Sequence, residues 1–133
     1  MRSEAPDILL IEDSDLDYEM CVRAIREVVP NASIRRATEC SDARKELKTS
    51  SPSLMILDIN LQTCNGLDFL ERMASLRNSL GSIVVFSTST DPRDRDRARN
   101  AGAADFFEKP FRPQEYLSTV QTIVSRYVCT PPC

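Results

Sequence analysis

Three short segments of the chain are almost entirely apolar, and each ends at a polar residue. They read DILLIE (7–12), SLMILD (53–58) and SIVVFS (82–87). Strands with one solvent-exposed face alternate polar and apolar residues. Apolar runs without alternation are therefore typical of strands that are covered on both faces. Two further segments of strand length, SIRRA (33–37) and ADFFEK (104–109), bring the number of predicted strands to five.

Longer segments with helical spacing lie between these strands. Segment 15–29 carries an apolar residue at every fourth position, namely Leu16, Met20, Ala24 and Val28, and Pro30 ends it. Segments 66–76 and 112–128 also carry apolar stripes at helical spacing. Such stripes predict helices that pack one face against a core.

Segment 91–101, which reads DPRDRDRARNA, predicts a helix of a different kind. Asp91 is placed to cap it and Pro92 to occupy its first turn. Only Ala98 and Ala101 offer apolar contacts, so we expect this helix to dock weakly. Its alternating Asp and Arg residues favour a solvated face over a recognition surface.

Five strands alternating with helices predict an α/β fold, a parallel sheet joined by crossovers and wrapped on both sides. We expect one domain over residues 1–133, with a core at about 6–128 and a short tail, CTPPC, at 129–133. In such sheets the usable crevice lies beyond the carboxyl ends of the strands. The polar residues at those ends are Glu12, Asp13, Asp58, Ser87 and Lys109.

Composition narrows the classes of function. The sequence has no apolar run near the ~20 residues of a membrane span, and acids and a proline interrupt its first ten residues, MRSEAPDILL. We therefore expect a cytoplasmic protein without a membrane segment. The net charge of −3 argues against a nucleic-acid-binding protein, which usually has a basic face.

The chain has five cysteines and no histidine. The lack of histidine excludes Ser-His-Asp and Cys-His catalytic sites. Because the cysteine count is odd and no CxxC spacing occurs, we expect neither a disulfide framework nor a zinc site. Cys64 lies in a loop beside the polar strand ends, and we interpret it as an incidental thiol rather than a redox group.

The polar strand ends form a set with a recognisable chemistry. Glu12, Asp13 and Asp58 would converge if their strands are neighbours, and like charges at close range require a counter-charge. Mg²⁺ prefers oxygen ligands and bridges to phosphate, and Lys109 supplies a second positive charge. With the Ser87 hydroxyl, this set suits phosphoryl transfer, with Asp58 as the acceptor because it ends the central apolar strand.

These residues carry a family resemblance that extends over essentially the whole chain. The motifs LLIEDSD, MILDIN, NGLDFL, VVFSTST and ADFFEKPF resemble the receiver domain of two-component response regulators, the CheY-like superfamily. The resemblance implies a flavodoxin-like (βα)5 fold, doubly wound, with strand order 2-1-3-4-5. Within that family, IEDSDLD and FSTSTDPRD are similar to the small regulators that partner phytochrome-type histidine kinases.

The resemblance assigns roles around the acceptor. Asp58 matches the aspartate that receives a phosphoryl group from the phosphohistidine of a histidine kinase. Glu12 and Asp13 match the acidic pair that, with Asp58, places Mg²⁺, and Asn60 matches the residue that lends its backbone carbonyl to the metal.

The resemblance also implies a conformational switch. Ser87 matches the hydroxyl that moves toward the aspartyl phosphate, Lys109 the lysine that contacts the phosphate, and Phe106 the aromatic rotamer switch. Plain core packing remains an equal alternative for Phe106, because most buried aromatic rings serve only the core.

The function implied is that of a single-domain regulator switched by phosphorylation on Asp58. Only five residues follow 128, so we expect no output domain in this chain. We expect no enzymatic activity beyond self-phosphoryl transfer and autodephosphorylation. The expected partners are a sensor histidine kinase or phosphotransfer protein and a target that docks on the face formed by 91–128. Whether phosphorylation drives homodimerisation stays open.

Three other functions remain open. The chain could be a phosphorelay shuttle that passes the group from Asp58 to a phosphotransfer protein. A haloacid-dehalogenase-like hydrolase would need an acid two residues after its nucleophile, where this chain has Asn60. A degenerate receiver would bind its partner without phosphorylation, although the complete set of site residues argues against it.

Overall fold

Five strands and five helices alternate along the chain. The computed structural model describes residues 5–73 and 81–128. Within these residues, the elements are β1 (Asp7–Ile11), α1 (Asp15–Val28), β2 (Ser33–Ala37), α2 (Cys40–Thr49), β3 (Leu54–Leu57), α3 (Gly66–Arg72), β4 (Ser82–Ser87), α4 (Pro92–Asn100), β5 (Asp105–Glu108) and α5 (Pro113–Tyr127).

The strands form one parallel sheet in the order β2-β1-β3-β4-β5, which confirms the predicted flavodoxin-like topology. All four residues of the central strand β3 are buried. Such burial on both faces explains the unbroken apolar run in the sequence. The carboxyl ends of β1, β3 and β4 therefore lie side by side at one edge.

Successive strand residues face opposite sides of the sheet and form two apolar layers. One layer joins Leu9, Met55 and Val85 to the inner faces of α2, α3 and α4. The other joins Ile8 and Ile56 with neighbouring strand residues to α1 and α5, which pack closely on each other. Full burial of one such side chain stabilises a fold by ~1.5–3 kcal/mol. The sheet is thus anchored on both faces.

The inward face of α1 differs from the predicted stripe. Leu16 is 66% exposed, and the buried residues of the helix are Cys21, Ala24 and Ile25. A spacing of four residues drifts by about 40° per step around a helix with 3.6 residues per turn. Leu16 and Val28, three such steps apart, therefore cannot face the same core.

Helix α4 docks weakly, as predicted. Asp91 caps it by accepting a hydrogen bond from the Arg93 N–H, and Ala98 is its only fully buried residue among those described. A surface ion pair from Arg97 to Asp68 and Glu71 links it to α3.

Two predicted regions lie outside the described residues, namely positions 74–76 at the end of the third predicted helix and the tail at 129–133. In the part of the chain that is described, no helix is both long and apolar enough to cross a membrane.

Gly66 allows the loop after β3 to close against the strand that precedes it. Its N–H donates to the carbonyl of Ile59 at 3.0 Å. A Cβ at this position would lie 2.5 Å from the Ile59 Cα and 2.9 Å from the Asp58 carbonyl oxygen. The chain after Asp58 can take this path only because position 66 has no side chain.

A Gly66→Ala variant should be less stable by about 1–2 kcal/mol in urea unfolding. The new methyl group meets backbone atoms that must move, and this overpacking cost exceeds the gain in helix propensity. The matched control is Gln62→Ala in the same loop, where the exposed side chain predicts a change within about 0.5 kcal/mol. Equal stability of Gly66→Ala and the wild type would contradict this role.

Candidate functional site

The side chain of Lys109 is the centre of a charged cluster at the carboxyl edge of the sheet. Its Nζ donates to Glu12 Oε1 at 2.6 Å, to Asp17 Oδ2 at 2.7 Å and to Asp58 Oδ2 at 3.0 Å. Only 5% of the side chain is exposed. The ammonium therefore uses all three of its hydrogens on carboxylates from three different elements of the chain.

The backbone fixes where these side chains begin. The N–H of Glu12 donates to the Ala37 carbonyl, that of Asp58 to Ile11, and that of Lys109 to Ser87, all at 2.8–3.0 Å. These bonds continue the sheet ladder one residue beyond the strands. The charged groups are thus placed by the most rigid part of the fold.

Burial and ion pairing shift the pKa values of the charged groups in opposite directions. Burial opposes the charge of Lys109, but the carboxylates of Asp58 and Glu12 and the hydrogen bonds with Asp17 and Glu12 outweigh it and raise the Lys109 pKa. Burial raises the pKa of Glu12, and the nearby ammonium of Lys109 only partly offsets this. Lys109 is therefore charged at neutral pH. Its ion pair with Glu12 stabilises a carboxylate whose protonated form burial would otherwise favour.

The acidic cluster is a suitable place for a divalent cation. Carboxylate oxygens of Glu12, Asp13 and Asp58 all lie within 4.8 Å of one another. Backbone N–H groups fix two of them, because Gln62 donates to Asp13 Oδ2 at 2.8 Å and Asn60 donates to Asp58 Oδ1 at 2.9 Å.

The charge balance of this cluster calls for another cation. With Asp17, four carboxylates face the single ammonium of Lys109. An oxygen-only donor set with excess negative charge suits Mg²⁺, which binds through a few carboxylates and keeps several waters. The residues present therefore fit the metal that the sequence predicts.

Ser87 lies at the end of β4 and is completely buried. Its Oγ accepts hydrogen bonds from Asn60 Nδ2 at 3.2 Å and from the Ser89 N–H at 3.4 Å. Asn60 Nδ2 also reaches Thr88 Oγ1 at 3.4 Å. The Asn60 side chain thus connects the loop after β3 to the end of β4, a contact the sequence did not indicate.

Phe106 lies on β5, paired with Val85 of β4, and is 7% exposed. The guanidinium of Arg95 lies 4.7 Å from the centre of its ring and donates to the Phe106 carbonyl at 2.9 Å. The ring thus packs between the sheet and α4. Its predicted part in a switch stays a prediction.

Asp17 contacts Lys109 in the charged cluster, and the sequence pattern did not indicate it. It lies in the first turn of α1, where the Ser14 side chain caps the helix by accepting from the Asp17 N–H at 3.2 Å. Its place in the first turn of the helix that directly follows Glu12 and Asp13 is the signal that could have located it.

Two cysteines contradict the expectation of a chain without disulfides. Cys40 and Cys64 are bonded to each other, with their Cα atoms 6.2 Å apart. Cys40 begins α2 and Cys64 lies in the loop between β3 and α3, and the fold brings these two segments together at the carboxyl edge. The expectation failed because it rested on local cysteine spacing, whereas this pair is 24 residues apart.

Comparison with known proteins identifies relatives across most of the chain. Residues 8–121 match the model of the response regulator receiver domain. The chain is 30% identical over 122 residues to the transcriptional regulatory protein KdpE of Mycobacterium tuberculosis, covering 90% of this chain and 51% of that protein. It is also 30% identical over 103 residues to a protein-glutamate methylesterase/protein-glutamine glutaminase of Methylobacillus flagellatus, covering 77% and 29% respectively. The chain thus spans about half or less of these relatives.

Solved structures show the same fold. The phosphorylated cyanobacterial phytochrome response regulator RcpA aligns with a TM-score of 0.86 at 21% identity, over 98% of this chain and 100% of that one. The Mn²⁺-bound form of response regulator Rcp1 aligns with a TM-score of 0.77 at 23% identity, over 96% and 99%.

Mg²⁺ should stabilise the wild-type protein, and Asp13→Asn should remove most of that effect. At tenfold its dissociation constant, a ligand that binds only the folded state adds about 1.4 kcal/mol of stability. The measurement is the thermal midpoint with and without Mg²⁺. Glu19→Gln, an exposed acid on α1 outside the cluster, is the charge-matched control and should respond like the wild type. An equal response of Asp13→Asn and the control would contradict the site.

Proposed function

The chain belongs to the family of response regulator receiver domains, and from this we propose that it accepts a phosphoryl group on Asp58 in a Mg²⁺-dependent reaction. The donor is the phosphohistidine of a sensor histidine kinase or of a phosphotransfer protein. The observation that supports this most strongly is the contact of Lys109 with Asp58 within a cluster of oxygens suited to Mg²⁺.

In the proposed reaction, a carboxylate oxygen of Asp58 forms a bond to phosphorus while the bond from phosphorus to the histidine nitrogen breaks. The histidine nitrogen keeps the electron pair of the broken bond. Bound Mg²⁺, held by Glu12, Asp13, Asp58 and the backbone carbonyl of Asn60, would neutralise charge on the phosphoryl oxygens.

The residues around Asp58 prepare it for this attack. Each of its oxygens already accepts a hydrogen bond, one from Lys109 and one from the Asn60 N–H. The carboxylate is therefore held in one orientation, and positioning with charge neutralisation is the main requirement of phosphoryl transfer. Lys109 would move the hydrogen bond that it now donates to Asp58 Oδ2 onto the new phosphoryl group.

The proposed switch begins at Ser87. Its oxygen accepts hydrogen bonds from Asn60 and Ser89, which leaves its own O–H hydrogen to be donated to a phosphoryl oxygen. Movement of Ser87 toward Asp58 would change the packing of β4 against β5, and Phe106 lies on β5 beneath α4. We assign the partner-binding surface to the face at 91–128, where α4 docks weakly enough to move.

Sequence resemblance and the phytochrome response regulator RcpA among the structural neighbours make a phytochrome-type kinase the first donor to test. Because such a kinase presents its phosphohistidine in the cytoplasm, we place this chain there as well.

A phosphorylation-independent binding module is the second candidate. It would keep the fold and the partner face but would not use Asp58. An aspartyl-phosphate hydrolase fits less well, because position 60 carries an amide where a general acid and base is needed. The two predictions that follow separate these functions.

Incubation with acetyl phosphate and Mg²⁺ should add one phosphoryl group to the wild type and none to Asp58→Asn, measured by intact mass. Asp96→Asn, an exposed acid on α4, is the matched control and should be labelled like the wild type. Omission of Mg²⁺ should also abolish labelling. No labelling of the wild type under any condition would favour the phosphorylation-independent module.

Ser87→Ala should still be phosphorylated but should lose the response of the 91–128 face. The variant removes the hydroxyl that we propose donates to the phosphoryl group and leaves the acceptor Asp58 intact. The measurement is the change in amide chemical shifts of residues 91–128 on phosphorylation. Thr90→Ala, which removes an exposed hydroxyl from the adjoining loop, should respond like the wild type. A full response in Ser87→Ala would contradict the proposed switch.

A further inference from the structure

We propose that the Cys40–Cys64 disulfide is a reversible redox modification site whose state sets the affinity of the carboxyl edge for a divalent cation. This inference rests on the proposed function, since it concerns the same metal site. Its natural reactant is a protein or small-molecule dithiol that exchanges with the disulfide.

The bond joins the start of α2 to the loop between β3 and α3. Cys40 is the first residue of α2 and is buried, whereas Cys64 is half-buried in the segment 59–65. The N–H of Cys40 also donates to the Cys64 sulfur at 3.2 Å. The covalent link therefore fixes the far end of that segment to the first turn of α2.

The near end of the same segment holds the acidic cluster in place. The N–H groups of Asn60 and Gln62 donate to the carboxylates of Asp58 and Asp13. A backbone bridge between Asn60 and Asn65 closes the segment on itself, so Cys64 lies inside this small closed loop. If Cys64 were released from Cys40, movement of this loop would therefore displace the two N–H groups that orient the metal-binding oxygens.

The disulfide is accessible to a reductant. It lies in a surface pocket lined by Arg44, Arg72 and Asp68, and Cys64 is the more exposed residue of the pair. Cys21 is a poor competitor, because its buried thiol contacts Tyr116 and burial raises its pKa to about 12.

Reduction of the disulfide proceeds by two successive thiol–disulfide exchanges. A thiolate of the dithiol attacks the Cys64 sulfur, the bond between the two protein sulfurs breaks, and Cys40 leaves as a thiolate. The second thiol of the reductant then attacks the mixed disulfide and releases Cys64. The protein gains two electrons and takes up two protons as its thiols form, and the dithiol becomes a disulfide.

A purely structural role explains the bond less well. The chain buries two apolar layers, so its fold does not depend on a staple as that of a very small secreted domain does. In a reducing cytoplasm, which is the proposed location, disulfides are usually transient and redox-sensing. The placement of this one beside the metal-orienting N–H groups, rather than across the core, suits such a role.

The affinity of Mg²⁺ for the oxidised and the reduced wild type, measured by titration calorimetry, tests the proposal. Loss of the covalent anchor should weaken binding about tenfold. By linkage, saturating Mg²⁺ should then shift the dithiol–disulfide equilibrium about tenfold toward the disulfide, or ~30 mV for two electrons. Alkylation and mass analysis of Cys40 and Cys64 in glutathione buffers measure that shift on the wild-type protein.

A Cys40→Ser/Cys64→Ser variant should bind Mg²⁺ like the reduced protein under all redox conditions, with Cys21→Ser as the control that keeps the redox response. Equal affinity of the two wild-type states, or no shift of the redox equilibrium, would overturn this inference and leave the proposed function intact. Absence of Mg²⁺ binding in both states would overturn the proposed function and this inference together. Free thiols at Cys40 and Cys64 under non-oxidising and oxidising conditions alike would overturn the inference alone.

Discussion

The site depends on a charge imbalance that the fold creates at one edge of its sheet. Lys109 supplies one ammonium to Glu12, Asp17 and Asp58, and Asp13 adds a further carboxylate at the rim. A buried ammonium among carboxylates is stable only while its partners stay in place. The excess negative charge in turn makes the cluster suited to a divalent cation.

The parallel topology is what brings these charges together. β1 and β3 are neighbours in the sheet, so the acids that follow them meet without any long connection. Lys109 follows the edge strand β5, and its long side chain reaches across the end of β4 to Asp58 and Glu12. The ends of the strands thus hold the charged residues of the site.

The sequence predicted what depends on local pattern. Asp58 and Lys109 were located because each lies at the end of a predicted strand, and the strand order followed from the family resemblance. Asp17 was missed because its contact with Lys109 depends on how α1 packs against the sheet. The Cys40–Cys64 bond was missed for the same reason, since a link between distant segments has no local signature. The side-chain bond from Asn60 to Ser87 likewise appears only once β3 and β4 are side by side.

The most direct test is to find which residue carries the phosphoryl group. Reduction of an aspartyl phosphate with borohydride converts that aspartate to homoserine, which tandem mass spectrometry can assign to a position. After treatment with acetyl phosphate and Mg²⁺, we predict homoserine at position 58 and at no other acid. Homoserine at Asp13 or Asp17, or its absence from a protein that has gained a phosphoryl group, would contradict the central role of Asp58.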